Sequence, residues 1–394
     1  MAASPSKASA PVAPRPPEAS MCSSLWSDLP VDLAGLVLRR LPSLADRVCF
    51  GSVCRHWRHA ARQQAPVLPP ALPWTITSST GKAQSIPDGE VHRLCPGKLA
   101  QCACSSESWL LMIGKASRHD TTESLNFLKN PLSGAIVLLP DPGSLLRHGA
   151  GLYCVTKFIV CRSDLVVATT RDNIPSYKDP LIACSPGTSP SWSMSTQGAA
   201  TDGSSYQDIA FHDGSIYAMA EQGDLYVHRV SEDDGLGVVL SSAKLVIKGS
   251  AGDTRWLGVS RFLVVSRSGR LLMVKWNHRH GNIYHDDGIS AFELFEADLQ
   301  MSRWSRLSSI GDQVLFVSQR CSKAVPVSHD HCDDYLCGDR VYFVDNAIYG
   351  PKECCFGATS CGMYDLRNNT CHPVVSDAFR DNNIAAAAWF FPHT

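Results

Sequence analysis

The chain has 394 residues, of which 44% are hydrophobic and 19% charged, enough for one large domain with a real core and one small one. Its 36 basic side chains face 37 acidic ones, a formal net charge of −1, which gives no electrostatic reason to expect nucleic acid or a membrane surface as partner. Apolar runs such as Gly134 to Leu139 are strand-sized, and none approaches the ~20 residues of a spanning helix.

Residues 1–24 are rich in Ala, Pro and Ser and sparse in charge. Such a composition cannot bury enough apolar surface to fold, so a disordered tail is expected. Acid-poor Ala/Ser starts also occur in transit peptides, but arginine is sparse here and no apolar signal-type stretch is present.

From Trp26 to Ala60 the pattern turns helical. Asp28 is placed to cap a first helix, with Pro30 near its first turn. Leu33, Leu36, Val37 and Leu41 then share one face, and Pro42 stops the helix. Gly35, inside that helix, should cost about 1 kcal/mol against Ala, which implies support from packing or a partner. Ser43 with Asp46 reads as a capping-box-like restart. Val53, Cys54, Trp57 and Ala61 form a further apolar stripe, and Cys49 and Cys54 fall at packing positions. So short a helical stretch buries little core alone, yet it is too apolar for a solvated linker.

The run Leu29-Pro30, Leu33, Leu36, Leu38, Leu41-Pro42, then Val53-Cys54-Arg55 and Trp57-Arg58 resembles an F-box. The resemblance implies a three-helix module over residues 25–65 that docks on a Skp-type adaptor, and through it on a cullin-based ubiquitin ligase. By carry-over, Leu29, Pro30, Leu33, Leu36, Val37, Leu41, Val53 and Trp57 are expected at or just beneath that interface, with Trp57 as an aromatic anchor. A Pro-rich linker is expected over residues 66–74.

Residues 75–394 read as strands. Ser215–Ala220 and Asp224–His228 flank a Glu221-Gln222-Gly223 turn, and Arg261–Val265 and Arg270–Trp276 flank Arg267-Ser268-Gly269. Ala291–Ala297 with Trp304, Val314–Val317, Asp339–Val344, and Gly362–Leu366 with Thr370–Val375 continue the series. Hairpins recurring unevenly every 40–50 residues, with aromatic cues, suggest the blades of a β-propeller. A β-sandwich or two small sheets is the alternative. A propeller must close, and Ala385 to Phe391 is apolar enough to pair with a strand near Trp74–Thr77.

The fragments Asn130-Pro131-Leu132-Ser133-Gly134 with Leu139-Pro140, Asp208 to Gly214, Ile310-Gly311-Asp312, Leu336 to Asp345 and Trp389-Phe390-Phe391-Pro392 together resemble a plant F-box-associated domain of unknown function. That resemblance spans roughly residues 75–392 and implies a kelch-like propeller that recognises a substrate.

Signals for chemistry are weak. No phosphate-binding Gly-x-x-x-x-Gly-Lys-[Ser/Thr] loop, His-Glu-x-x-His or Gly-x-Ser-x-Gly is present. Asp286-Asp287 and Asp333-Asp334 are neighbours, which on a strand point to opposite faces. Sixteen cysteines without a signal peptide should be mostly reduced and buried. Cys332, Cys337, Cys354, Cys355, Cys361, Cys371 and His372 cluster late in the chain, but without zinc-type spacing, and His278, Arg279, His280 and His285 read as a polar blade tip. No cofactor, metal or catalytic residue is expected. The expected function is that of a non-enzymatic substrate receptor in a Skp-cullin-F-box ligase, located in the nucleus and/or cytoplasm. A propeller that binds a ligand or acts as a scaffold without the ligase is the alternative.

Overall fold

The computed structural model describes Trp26 and residues 29–77, 82–86, 89–94, 100–118, 121–140, 154–171, 181–186, 191–195, 206–233, 237–249, 259–277, 292–327, 336–346, 359–374 and 387–392. The chain divides into two compact units, Met1–Leu68 and Pro69–Thr394.

Among the described residues the first unit contains the helices α1 (Val31–Arg39), α2 (Leu44–Ser52) and α3 (Arg55–Gln64), followed by a 3-10 turn at Ala65–Val67. Pro30, not Asp28, occupies the N-cap of α1 and makes no side-chain cap; Asp28 itself lies outside the described residues. Ser43 does cap α2, its Oγ accepting from the Ala45 amide at 3.2 Å. The stripe expected from Val53 to Ala61 is broken, because Cys54 is extended and its sulfur accepts from the Trp57 amide as the N-cap of α3. Val53 is therefore left outside both helices and is exposed. Cys49 is exposed rather than packed. Leu29, Ala34, Leu38, Phe50 and Ala60 form the core, with Val31, Leu41, Trp57, Ala61 and Leu68 against it. Gly35 is buried, and a Cβ there would sit 2.6 Å from Gln64 Oε1. The atoms it would meet all belong to the flexible Gln64 side chain, which can swing aside, so this contact does not by itself demand a glycine.

The second unit is a six-bladed β-propeller. Blade 1 runs β26 (Ala387–Phe390), β1 (Trp74–Thr77), β2 (Lys82–Ser85), β3 (Val91–Arg93). Blade 2 is β4 (Ala100–Ser106), β5 (Trp109–Arg118), β6 (Thr121–Lys129), β7 (Ile136–Leu138), and blade 3 is β8 (Cys154–Arg162), β9 (Leu165–Arg171), β10 (Leu181–Cys184), β11 (Ser193–Met194). Blade 4 holds β12 (Tyr206–His212), β13 (Ser215–Ala220) and β14 (Leu225–Asp233), with its outer edge shared by β15 (Gly237–Leu240) and β16 (Lys244–Ile247). Blade 5 is β17 (Val259–Val265), β18 (Leu271–Asn277), β19 (Phe292–Asp298), β20 (Arg303–Leu307). The first strands of blades 2 to 6 open at residues 100, 154, 206, 259 and 313, a regular step where the sequence suggests uneven units of 40–50 residues. The longer step arises because connections with no apolar pattern separate the hairpins. Trp74 already belongs to β1, and the 3-10 turn takes up residues 66 and 67 of the expected linker.

Closure takes the expected form. β26 pairs antiparallel with β1, Trp74 opposite Phe390 and Thr77 opposite Ala387. Trp389 is fully buried, donates its indole N–H to the Val317 carbonyl at 2.9 Å, and accepts at its own carbonyl from Ser105 Oγ at 2.6 Å. It therefore ties blade 1 to blades 6 and 2.

Blade 6 departs from the simple pattern. β21 (Gln313–Val317) pairs in parallel with β23 (Arg340–Asn346), which continues to β24 (Thr359–Asp365) and β25 (Thr370–Pro373). β22 (Lys323–Pro326) turns back as a further strand on β21, beside β17. The turn between β21 and β22 reaches blade 2, where Arg320 donates to Cys104 Sγ at 3.5 Å and Lys323 pairs with Glu107 at 3.0 Å.

Apolar clusters fill the spaces between blades 2 and 3, 3 and 4, 4 and 5, 5 and 6, and 6 and 1. Three buried polar ties set the alignment. Asp208 on β12 accepts from Lys157 Nζ on β8, from its neighbour's amide Ile209 N, and from Leu263 N on β17 at 2.8 Å, so one carboxylate joins three successive inner strands. Burial pushes that carboxyl up, against the Lys157 charge and the two amides; such a pair specifies alignment more than it adds stability. Asp339, at φ +63°, accepts from Ser309 Oγ, the Ile310 and Gly311 amides and Arg367 Nε. Burial acts to raise its pKa, but these donors outweigh it and hold the carboxyl below its usual range. His228, fully buried, bonds Tyr206 OH through Nε2 at 3.0 Å, while Nδ1 lies 3.0 Å from Ser195 Oγ and 3.1 Å from the Ser241 carbonyl.

Two predictions follow from this packing. Trp389→Ala removes an interblade ring and orphans the Val317 carbonyl, so denaturant unfolding should show a loss of about 3–5 kcal/mol, and Trp389→Phe a smaller one; an Ala variant as stable as the parent would contradict the closure role. Burial lowers the His228 pKa, against the Ser241 carbonyl, so its neutral form is the folded one. The unfolded chain then binds more protons below about pH 6.5, and stability should fall as pH drops through that value toward the folded pKa. His228→Gln should flatten this fall in melting temperature, and an unchanged slope would locate the effect elsewhere.

Candidate partner-docking face

The exposed surface of the helical unit is built by the same periodicity that builds its core. On α1, Ala34, Gly35 and Leu38 turn inward. Leu33, Leu36 and Val37, on the other side, remain 48%, 49% and 40% exposed. Val53 is 63% exposed between α2 and α3, and Val48 on α2 is 55% exposed. Free apolar side chains this large on one small unit mark a surface that excludes water only when covered.

The eight residues carried over from the sequence pattern thus divide. Leu33, Leu36, Val37 and Val53 are exposed apolar groups, and Pro30 is exposed at the head of α1. Leu29 is buried in the core, and Leu41 and Trp57 are half-buried against it. Trp57 stacks on Phe50 with centroids 4.4 Å apart and donates its indole N–H to the Trp26 carbonyl at 2.7 Å. His56 Nε2 lies 2.8 Å from the Leu29 carbonyl, and Arg47 Nε donates to the Leu41 carbonyl at 2.8 Å. These bonds fix the segments on either side of α1, so its outward stripe is presented on a braced helix. Val48 and Trp26, both exposed, were not picked out from the sequence; the turn of α2 that buries Leu44 and Phe50 while leaving Val48 outside is the signal that could have found Val48.

On the propeller, a groove of about 170 Å³ lies between blades 3 and 4, lined by Arg162, Leu165, Phe211, Gly214 and Glu232 among others. A second, of about 450 Å³, lies between blades 4 and 5 beside Arg270, Glu296 and Asp298. Their charges are already engaged: Arg162 with Glu232 at 3.5 Å and Arg270 with Glu296 at 2.9 Å. Ser195, His228 and Tyr206 have the residue types of a nucleophile and base, but all three are buried, so a substrate has no access to them. Among the described residues no group of three or more His, Cys, Asp or Glu could hold a metal ion. Cys332, Cys354, Cys355, the residues His278 to Asp287, and Asp333-Asp334 lie outside the described residues. Of the described cysteines, Cys102, Cys104, Cys184, Cys321 and Cys361 are buried and form no disulfide. No helix among the described residues is long and apolar enough to cross a membrane.

Comparison with known proteins agrees with this division. The sequence is similar to F-box protein At2g26160 of Arabidopsis thaliana, 21% identical over 345 residues that cover 82% of this chain and 96% of the relative. It is also similar to At4g17565 of the same plant, provisionally named an F-box protein, with 24% identity over 394 residues and coverage of 93% and 94%. A glycosyl hydrolase of Bacteroides ovatus superposes with a TM-score of 0.31 and 11% identity over 79% of this chain and 94% of that one, a likeness too slight to bear on fold or activity. Residues 26–65 match the F-box-like domain, which coincides with the three-helix unit and its exposed stripe. Residues 83–365 match the KIB1-4 β-propeller, well over half of the sequence, and the chain belongs to that family, with an F-box-like module preceding the propeller.

Proposed function

We propose that this chain is the substrate-recognition subunit of a Skp-cullin-F-box ubiquitin ligase, acting in the nucleus and/or cytoplasm. The observation that carries the reading is the outward stripe of Leu33, Leu36 and Val37 on a module whose core is already complete without it. The Skp-type adaptor covers that stripe together with Pro30 and Val53, while Leu29, Leu41 and Trp57 hold the helices beneath it. The chain itself performs no bond chemistry. It raises the effective concentration of a substrate lysine near a ubiquitin thioester, and converting an encounter between free molecules into a near-intramolecular one supplies several kcal/mol of the barrier.

In this reading residues 1–24 form a tail, 25–65 the F-box, 66–74 a Pro-rich connector and 75–394 the receptor domain. Strand order favours one end of the propeller for the target. In blades 2 to 4 the first and second strands join through tight turns at Glu107-Ser108, Ser163-Asp164 and Asp213-Gly214. The connections 172–180, 195–205, 248–258 and 278–291 follow strands that run opposite to the first strand of their blade and so leave from the opposite end, whereas 347–358 follows β23, parallel to β21, and leaves from the end of the tight turns. Long loops on a rigid scaffold are where recognition residues are most readily accommodated. The β21–β22 hairpin, reaching across to Cys104 and Glu107, occupies the region a ligand-binding propeller would keep open.

Affinity capture of the full chain from plant extract should recover Skp-type adaptor and cullin together with the target. A chain lacking residues 26–60 should lose the first two and keep the third; retention of the adaptor would refute the assignment. Trp57→Ala removes the ring stacked on Phe50 and should weaken the module or its complex by about 3–5 kcal/mol. Co-purification of that variant with undiminished adaptor would show that Trp57 does not support the docking face.

A further inference from the structure

The helical unit carries a charge pattern that the chain as a whole does not. Residues 26–65 contain six arginines, Arg39, Arg40, Arg47, Arg55, Arg58 and Arg62, against three aspartates, Asp28, Asp32 and Asp46, in a protein of net charge −1. Arg47 and Arg58 are used internally, donating to the carbonyls of Leu41 at 2.8 Å and Gly51 at 3.2 Å. Arg39, Arg40, Arg55 and Arg62 are exposed, and no ion pair or hydrogen bond engages their side chains among the described residues.

Helix electrostatics explains part of this set. Arg39 and Arg62 lie in the last turns of α1 and α3, where a cation meets the negative end of the helix dipole. That explanation fails for Arg55. It is the first residue of α3, at the positive end, in a turn without an acidic residue, so its charge works against its own helix. Its neighbour two residues back is Val53, the most exposed of the carried-over apolar groups. Arg40 extends the outward stripe of α1, seven residues beyond Leu33 and four beyond Leu36, the spacing that keeps side chains on one helix face. The apolar surface is therefore bordered at two places by guanidinium groups with no partner among the described residues of the unit.

We propose that the surface received by this face is an apolar cleft rimmed by carboxylates, which meet Arg40 and Arg55 and steer the two proteins together. This rests on the adaptor reading above and adds to it the chemistry of the adaptor's surface. Charges at the rim of an interface act chiefly on the association rate, and salt screens them, whereas the buried apolar contacts govern dissociation.

The test is the binding of the full chain to a purified plant Skp-type adaptor, with association and dissociation rates measured from about 50 to about 500 mM NaCl. The association rate of the parent protein should fall about tenfold over that range. Arg40→Glu with Arg55→Glu should lower it about tenfold at the low-salt end, leave dissociation within about threefold, and flatten the salt dependence. Arg40→Lys with Arg55→Lys should keep the parental rate. A salt-independent association rate of the parent overturns the inference even if the Glu variant misfolds; so does a folded Glu variant that associates at the parental rate or loses affinity wholly through dissociation. If the parent does not bind the adaptor at all, the adaptor reading fails first and this inference with it, an outcome distinct from salt-insensitive binding.

Discussion

The pairing of β26 with β1 is the constraint on which the larger unit depends. It brings Phe390 opposite Trp74 and gives the first blade its fourth strand. Joining residues so distant in sequence costs about 5 kcal/mol of loop-closure entropy beyond a constant. The burial of Trp389, Phe390 and Phe391, at about 1.5–3 kcal/mol for each large side chain, is of the size needed to offset it. Pairing also covers the free edge of β1, which would otherwise offer itself to other chains. The ring closes chemically as well as geometrically, because Trp389 is bonded to blades 2 and 6 at once.

Within that ring, the sequence fragments that single out the family are structural. Asn130 accepts from the Leu132 and Ser133 amides at 3.0 and 3.1 Å, and Gly134 takes φ +74°, so Asn-Pro-x-Ser-Gly is the turn joining β6 to β7. Asp208 pins three inner strands, and Asp339 clasps the Ser309–Gly311 segment to Arg367. A signature made of turns and buried carboxylates defines a shape and leaves the ligand unspecified. Relatives can then share the blade scaffold at low sequence identity while the connections between strands diverge.

The helical unit divides its apolar residues differently. Its core is small, and Trp57 supports it through stacking on Phe50. The stripe of Leu33, Leu36 and Val37 contributes nothing to that core and stays in water. Only a partner gives those side chains an energetic return. Arg40 and Arg55 at its border are consistent with the same economy, since neither finds a counter-ion among the described residues of the unit.

Much of this was written in local pattern. Proline, capping and leucine spacing placed the helical module, and alternating hairpins with a terminal apolar strand indicated a closed propeller, because periodicity and turn chemistry act over a few residues. Other features required the folded chain. Pro30 rather than Asp28 heads α1, Cys54 breaks the stripe that left Val53 exposed, and β22 folds back on a strand that runs parallel to β23. Whether Trp57 faces a partner or Phe50 could not be read from spacing, since both positions suit an aromatic ring on an amphipathic helix. The number of blades, the Asp208 tie and the end of the propeller from which most of the long connections leave are likewise decided by contacts between residues tens to hundreds of positions apart. Sequence encodes what neighbours along the chain prefer, and three-dimensional packing alone determines which of those preferences meet.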